Sequence, residues 1–180
     1  MDFFEVLANR RSIRRYKETP VEKEKLLNVL EAARLSPTWE NKQCWRLIVV
    51  TTPVQKEKLL EAIPDSNPGK KGVASAPVVV VLCANPGDSG VRENQQYYLV
   101  DCGIVFEHLF LAACAQGLGT CWIGVFDERL IKKSFGIPEP WRVVAITPLG
   151  YPERIPQPRP RKSLGELVFA ETWGKHMDEG

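Results

Sequence analysis

Residues 97–116 read YYLVDCGIVFEHLFLAACAQ, which is the pattern of a long helix. The segment is apolar around nearly its whole circumference, so we predict a helix of the protein core. Gly117 is expected to end it. The run VVVVLCA at 78–84 predicts the strongest strand of the chain.

The remaining elements alternate between helices and strands. Asp2 with Glu5 forms a capping box, and Thr-Pro pairs open two later helices. Further helices are predicted from residues 2, 20 and 53 and over 127–135, and further strands over 47–51, 120–125 and 143–149. This alternation alone favours a parallel α/β sheet.

The length and charge of the chain exclude several classes of protein. A chain of 180 residues predicts one domain that needs no disulfide or metal to fold. The net charge of +2 argues against a general binder of nucleic acid or membrane surfaces. The first residues lack the pattern of a signal peptide, and the longest apolar run, 77–84, is far shorter than the roughly 20 residues of a membrane span.

The cysteines predict a reducing compartment. There are 5 of them, an odd number, without CxxC spacing, and only 2 histidines accompany them. A zinc site is therefore not expected, and free thiols in the cytoplasm fit best.

The chain changes character after residue 150. Four prolines fall within eleven residues, at Pro152, Pro156, Pro158 and Pro160. We therefore predict a main unit over 1–150 and an extended arm over 151–180 that lies on the surface of a partner subunit.

Two basic stretches are candidates for anion binding. The first, RRSIRR at 10–15, is either a solvated charge run or a clamp in which Ser12 and Arg14 point to one side of an extended segment and Arg10 reaches from the helix end. Guanidinium groups with a hydroxyl suit a phosphate ester. The second, RPRK at 159–162, is either a solvated tail or a further part of such a site.

Two other segments could contact a flat ligand. SPTWENKQCWR at 36–46 is either a capped helix end with a Trp at the edge or a loop whose Asn41 and Gln43 read a heteroaromatic ring. GLGTCWIG at 117–124 is not a dinucleotide fingerprint, because Trp122 replaces the third glycine and a helix precedes it. Gly124, at a predicted strand end, would allow close approach of a ligand.

The sequence offers few candidates for catalysis by side chains. It has no credible Ser-His-Asp or Cys-His arrangement, no HExxH motif and no P-loop. We therefore predict no catalytic side chain and no metal ligand, and a protein that holds a reactive cofactor.

Taken in order, five motifs resemble those of the FMN-dependent nitroreductase family. They are RRSIR at 10–14, the SP…N-x-Q-x-W pattern over 36–45, GLGTCWIG at 117–124, LGYP at 149–152 and R-x-RK-x-L at 159–164. The resemblance covers nearly the whole chain. It implies an α+β fold with a mixed, largely antiparallel sheet flanked by helices, in place of the parallel sheet. It also implies a homodimer with exchanged arms and two FMN sites at the interface.

The resemblance further implies roles for single residues. The phosphate and ribityl chain of FMN would be bound by Arg10, Ser12, Arg14, Arg159 and Arg161, and the ring would lie against Arg11. The partner subunit would contribute Pro37, Thr38 and Trp39. Ring or ribityl atoms would bond to Asn41 and Gln43, and the reactive nitrogen would be approached by Ile123 and Gly124.

The implied activity is that of an oxidoreductase. It takes hydride from NADH or NADPH and reduces a small-molecule acceptor, such as a nitroaromatic or a quinone, in ping-pong fashion. A flavin store or sensor without turnover is the alternative, and a plain phosphate-ligand module is a third hypothesis. Two departures from the family stand out: Cys44 replaces a common Pro, and residues 86–96 are too few for the helical excursion of larger members.

Overall fold

The computed structural model describes residues 1–177. Its helices are α1 (Phe3–Asn9), α2 (Lys23–Arg34), α3 (Pro53–Ala62), α4 (Lys70–Ser75), α5 (Tyr97–Ala115), α6 (Glu128–Phe135) and α7 (Leu164–Leu167). Its strands are β1 (Trp45–Val50), β2 (Val78–Ala84), β3 (Val91–Arg92), β4 (Gln95–Gln96), β5 (Gly119–Thr120) and β6 (Arg142–Gly150). Two 3-10 turns occur at Trp39–Asn41 and Pro86–Asp88.

The main sheet has the strand order β1-β2-β6-β5, and each of these pairs is antiparallel. The α+β fold is therefore confirmed, and the parallel sheet suggested by alternation is wrong. Two short helices, α3 and α4, connect β1 to β2 and bring the chain back to the end of the sheet where β1 finishes. Alternation of element types does not specify the strand direction, because a helical connection can return the chain to either end.

Strand β2 is buried on both faces, which explains its uninterrupted apolar sequence. Val80 and Leu82 face a cluster that contains residues of α2 and α5, whereas Val79 and Val81 face one that contains residues of α3 and α6. All residues of β2 are buried. Such a run is typical of parallel sheets, but any strand with helices on both faces requires it.

Helix α5 is covered on only one side within the protomer. Val105, Phe106 and Leu109 are fully buried, whereas Leu99 and Val100 are about half exposed, at 49% and 53%. The prediction of a core helix therefore holds for one face. The length and composition of α5 would also suit a membrane span, but the core helix of a soluble protein meets the same criteria, so they are weak evidence for one.

The segment after β6 is largely extended and exposed up to α7. It is tied to the segment after α1 by a bridge between Tyr16 and Pro152. Helix α7 opens with a capping box of Ser163 and Glu166, and Trp173 beyond it is 92% exposed. The last residues of the predicted arm, 178–180, lie outside the described range, and the embrace of a partner stays a prediction.

Candidate functional site

The basic segment after α1 is extended and pinned to the edge of the sheet. Ile13 N–H donates to Thr120 O at 2.8 Å, and Ser12 forms a bridge with Thr120. Ile13 is buried at 3% exposure, while Arg14 is exposed. The predicted alternation along this segment is therefore present: the apolar side chain points inward, and its polar neighbours face out.

Tyr16 anchors the end of this segment, a role that the sequence did not reveal. Its hydroxyl donates to Ile13 O at 2.8 Å, and its backbone N–H donates to Ser75 Oγ at 3.2 Å. Burial raises the pKa of Tyr16 well above its ordinary value, so the hydroxyl stays protonated and able to donate. The position of Arg14 relative to the sheet depends on this anchor.

The structure brings the two predicted basic stretches together in one cleft. The cleft has a volume of about 230 Å³ and is lined by Arg10, Arg11, Ser12, Arg14, Pro156, Gln157, Arg159 and Arg161. Arg10 lies 3.7 Å from Glu107, but no ion pair within the described range involves the other four arginines. Five guanidinium groups with one carboxylate leave a strong positive potential, which suits an anion.

The amide-bearing loop lies at the other end of α5. Trp39 N–H donates to Asp101 Oδ1 at 2.8 Å, and the Trp39 ring packs on Tyr97 with centroids 4.5 Å apart. Asn41 and Gln43 are exposed and have φ of 56° and 49°, in the left-handed region. Gln43 Nε2 already donates to Asn41 O at 3.1 Å, so the exposed Asn41 side chain and the Gln43 side-chain oxygen are the groups left for a ligand.

The loop and the basic cleft are far apart in one protomer. Tyr97, beneath Trp39, is in the first turn of α5, and Cys114, beside Arg10 and Arg11, is in the last. These 17 positions along the helix correspond to about 26 Å at 1.5 Å per residue. The structure thus brings together Arg10, Arg11, Ser12, Arg14, Arg159 and Arg161, but not with Pro37, Thr38, Trp39, Asn41 and Gln43.

The third predicted segment is only partly available to a ligand. Ile123 is 2% exposed, and it exchanges two backbone hydrogen bonds of 2.9 Å with Ile146. Its side chain belongs to the core and its N–H is already used, so Ile123 is not a free contact in this protomer. Gly124 is exposed beside Trp122, which packs edge-on against Phe106. The strand predicted over 120–125 is present only as β5 (Gly119–Thr120), because beyond it the chain pairs with β6 through a single bridge, between Ile123 and Ile146.

The thiols are not set up as nucleophiles. Burial, and then a hydrogen bond to Asp101, raises the pKa of Cys44 to about 12. Burial likewise raises the pKa of Cys83 to about 11 and that of Cys121 above its ordinary value. Thiols with raised pKa values stay protonated at neutral pH and react slowly.

Comparison with known proteins gives a consistent result. The model of the Nitroreductase family matches residues 7–151. A "Putative NADH dehydrogenase/NAD(P)H nitroreductase" of Methanothermobacter thermautotrophicus is 34% identical over 163 residues, which is 88% of this chain and 82% of that protein.

Two solved structures are similar over almost the whole chain. A nitroreductase family protein from Clostridium novyi NT is 36% identical with a TM-score of 0.82, and the match covers 100% of this chain and 99% of that one. A protein from Exiguobacterium sibiricum in complex with FMN has a TM-score of 0.85 at 22% identity, over 95% and 98% of the two chains. The second likeness shows the fold alone.

Proposed function

Because this chain belongs to the nitroreductase family and is an NAD(P)H oxidoreductase of nitroreductase type, we propose that it binds FMN and passes electrons from NADH or NADPH to a small organic acceptor. Bound FMN would supply the hydride-accepting chemistry, in ping-pong fashion, with nitroaromatics or quinones as acceptors. The observation that carries the proposal is the cleft in which two distant arginine stretches meet. The FMN complex of the Exiguobacterium sibiricum protein supports the choice of cofactor.

The residues of the cleft fit the phosphate end of FMN. Arg14, Arg159 and Arg161 can each offer a planar pair of N–H donors to phosphate oxygens, and Ser12 adds a neutral hydroxyl. Arg11 Nε is buried and has no hydrogen-bond partner within the described range, so a ligand would satisfy it. We assign Arg10, Ser12, Arg14, Arg159 and Arg161 to the phosphate and ribityl chain, and Arg11 to the ring.

The ring end requires a second copy of the chain. A separation of about 26 Å along α5 is too long for one ligand to contact the cleft and the loop of the same protomer. We propose that Pro37, Thr38 and Trp39 of one subunit cover the flavin held by its partner, with Asn41 and Gln43 bonding ring or ribityl atoms. The exposed residues Leu99 and Val100 on α5 supply an apolar surface for such a homodimer.

The part of this chain is to bind, orient and exclude water. The raised pKa values of the thiols argue against a cysteine as proton donor. Gly124 would let the backbone approach the ring, because it carries no side chain. The five cysteines are free, which supports a reducing compartment such as the cytoplasm.

The test is a visible spectrum of the purified protein, followed by anaerobic titration with NADH and with NADPH. We expect a yellow protein that bleaches with one or both donors and recovers when a quinone or nitroaromatic is added. A protein that takes up no FMN would contradict the proposal. A yellow protein that neither donor bleaches would instead indicate a flavin store or sensor.

A further inference from the structure

Asp101 is a carboxylate inside the apolar core. It is 3% exposed and lies on the buried face of α5. The other buried polar side chains of the described range, Ser36, Thr120 and Thr147, are uncharged. No ion pair within residues 1–177 involves Asp101. A carboxylate in such a place is tolerated only if its oxygens accept hydrogen bonds.

Three donors from two surface segments meet at this carboxylate. Trp39 N–H donates to Oδ1 at 2.8 Å, Ser89 Oγ donates to Oδ2 at 2.8 Å, and Cys44 Sγ donates to Oδ2 at 3.4 Å. Trp39 begins the first 3-10 turn, Cys44 precedes β1, and Ser89 follows the second 3-10 turn. Asp101 therefore ties two surface segments to the central helix.

The tied loop needs external support, because its backbone is unfavourable. Glu40, Asn41 and Gln43 have φ of 46°, 56° and 49°, a region that is costly for residues with a Cβ. Inside the loop, Gln43 N–H donates to Thr38 Oγ1 at 3.0 Å. The loop is joined to the core at Trp39, through the bond to Asp101 and the ring on Tyr97.

We propose that Asp101 is a positioning residue, whose carboxylate holds the loop 37–43 in the shape in which it covers the flavin of the partner subunit. The inference rests on the proposed function for the role of the flavin, whereas the contact between Asp101 and the loop does not depend on that function. The hydrogen bond to Asp101 also explains why a cysteine suits position 44. Where many family members have Pro, this chain has a third donor to the carboxylate.

The tie is tested by hydrogen exchange in the purified full-length protein. Asp101→Leu keeps the branching of the side chain, with methyl groups that are larger than the oxygens, and removes both acceptors, whereas Asp101→Asn keeps an acceptor for Trp39. We expect exchange of the Trp39 amide to be at least about 10-fold faster in Asp101→Leu and less than about threefold faster in Asp101→Asn.

A matched control removes a carboxylate elsewhere. Asp127 accepts from Leu130 N–H at 3.0 Å at the start of α6. Asp127→Ala should speed exchange at Leu130 and leave Trp39 unchanged. If Asp101→Leu does not fold, Ser89→Ala replaces it, with an expected increase of about threefold at Trp39. Unchanged exchange at Trp39 in every folded Asp101 and Ser89 variant would overturn the tie.

The positioning role is tested by FMN binding in the same variants. We expect Asp101→Leu to raise the FMN dissociation constant about 10-fold and to shift the visible band toward that of free FMN. Asp101→Asn should keep the FMN dissociation constant and the visible band close to those of wild type, and Asp127→Ala should change neither. Faster exchange at Trp39 with wild-type FMN affinity and spectrum would overturn the positioning role. A wild-type protein that binds no FMN would contradict the proposed function. The exchange results would still show whether Asp101 holds the loop through the Trp39 amide.

Discussion

Arg14 is the single side chain on which the proposed FMN site depends most directly. It lines the basic cleft, and no carboxylate within the described range neutralises it. A charge-assisted bond to phosphate contributes roughly 1.5–3 kcal/mol, so Arg14→Ala should raise the FMN dissociation constant about 10- to 150-fold. Fluorescence titration measures this, with Arg129→Ala on the exposed side of α6 as the control. Wild-type affinity in both Arg14→Ala and Arg161→Ala would remove the phosphate assignment.

Cys44 is expected to contribute a hydrogen bond and no chemistry. Burial raises its pKa to about 12, so the thiol stays protonated at neutral pH, and serine can replace it as a donor to Asp101. Cys44→Ser should therefore keep turnover with NADH and a quinone within about threefold of wild type. A loss of more than about 10-fold at full FMN occupancy would show that the thiol takes part in the reaction.

The meeting of the two basic stretches in one cleft could be predicted from the type and spacing of their residues. Arg10, Ser12 and Arg14 have a two-residue period that survives in the extended segment. The pairing of Ile123 with Ile146 could not be predicted, because it joins residues that are distant in the sequence. Asp101 was visible as an acid within an apolar helix, but its donors are distant in sequence and appear only in the fold.

Helix α6 is tied to strand β6 by an ion pair with good geometry. Arg142 donates to both oxygens of Glu128, at 2.8 and 2.9 Å, and Val143 N–H donates to the same carboxylate at 2.9 Å. The hydrogen bonds from Arg142 lower the pKa of Glu128 below its ordinary value of 4.5. Because the Arg142 side chain is half exposed, we expect Glu128→Gln to cost only about 1 kcal/mol of unfolding free energy at neutral pH.

The pH dependence of this pair has a definite sign. A depressed carboxyl pKa stabilises the folded state above the unfolded pKa, and the effect is lost as the pH falls through the folded pKa. Urea unfolding should show a gap in unfolding free energy between wild type and Glu128→Gln near pH 7, and the gap should close as the pH falls through the lowered pKa of Glu128. Glu31→Gln, in a more exposed surface pair within α2, should show a smaller gap of the same sign, because a hydrogen bond from Arg34 also lowers the pKa of Glu31. A gap that widens in acid would contradict the assignment.

Elements were easier to predict than their arrangement. The helices after Asp2 and Thr52 begin where the capping pattern places them, whereas the helix predicted from residue 20 begins only at Lys23. Strand direction was not recoverable from local sequence, because β2 reads as a buried parallel strand and is instead antiparallel with helices on both faces. The sequence also could not predict that one side of α5 is exposed, because apolar residues look the same whether their own chain or another chain covers them.

At the scale of the whole molecule, we expect an obligate dimer through the exposed side of α5. Leu99 is about half exposed in the protomer, so Leu99→Glu is tolerated there but would bury an unpaired charge in a dimer. Leu99→Glu should raise the dissociation constant of the dimer at least about 100-fold. Light scattering measures this, with Val54→Glu on α3 as the control. A wild-type monomer that retains flavin at low micromolar concentration would refute the dimer.

The distance between the loop and the cleft makes two kinds of defective chain complementary. If each flavin is held by the cleft of one copy and covered by the loop of the other, a mixed dimer of Arg14→Ala and Asp101→Leu chains contains one doubly damaged site and one intact site. Equal amounts of the two variants, unfolded and refolded together, should regain about a quarter of wild-type turnover at an FMN concentration that fills wild-type sites but leaves each variant alone mostly empty. Activity no higher than the mean of the separate variants would mean that each site is built from a single chain. If the sites are shared in this way, a cell that expresses both variants has an activity that neither variant gives alone.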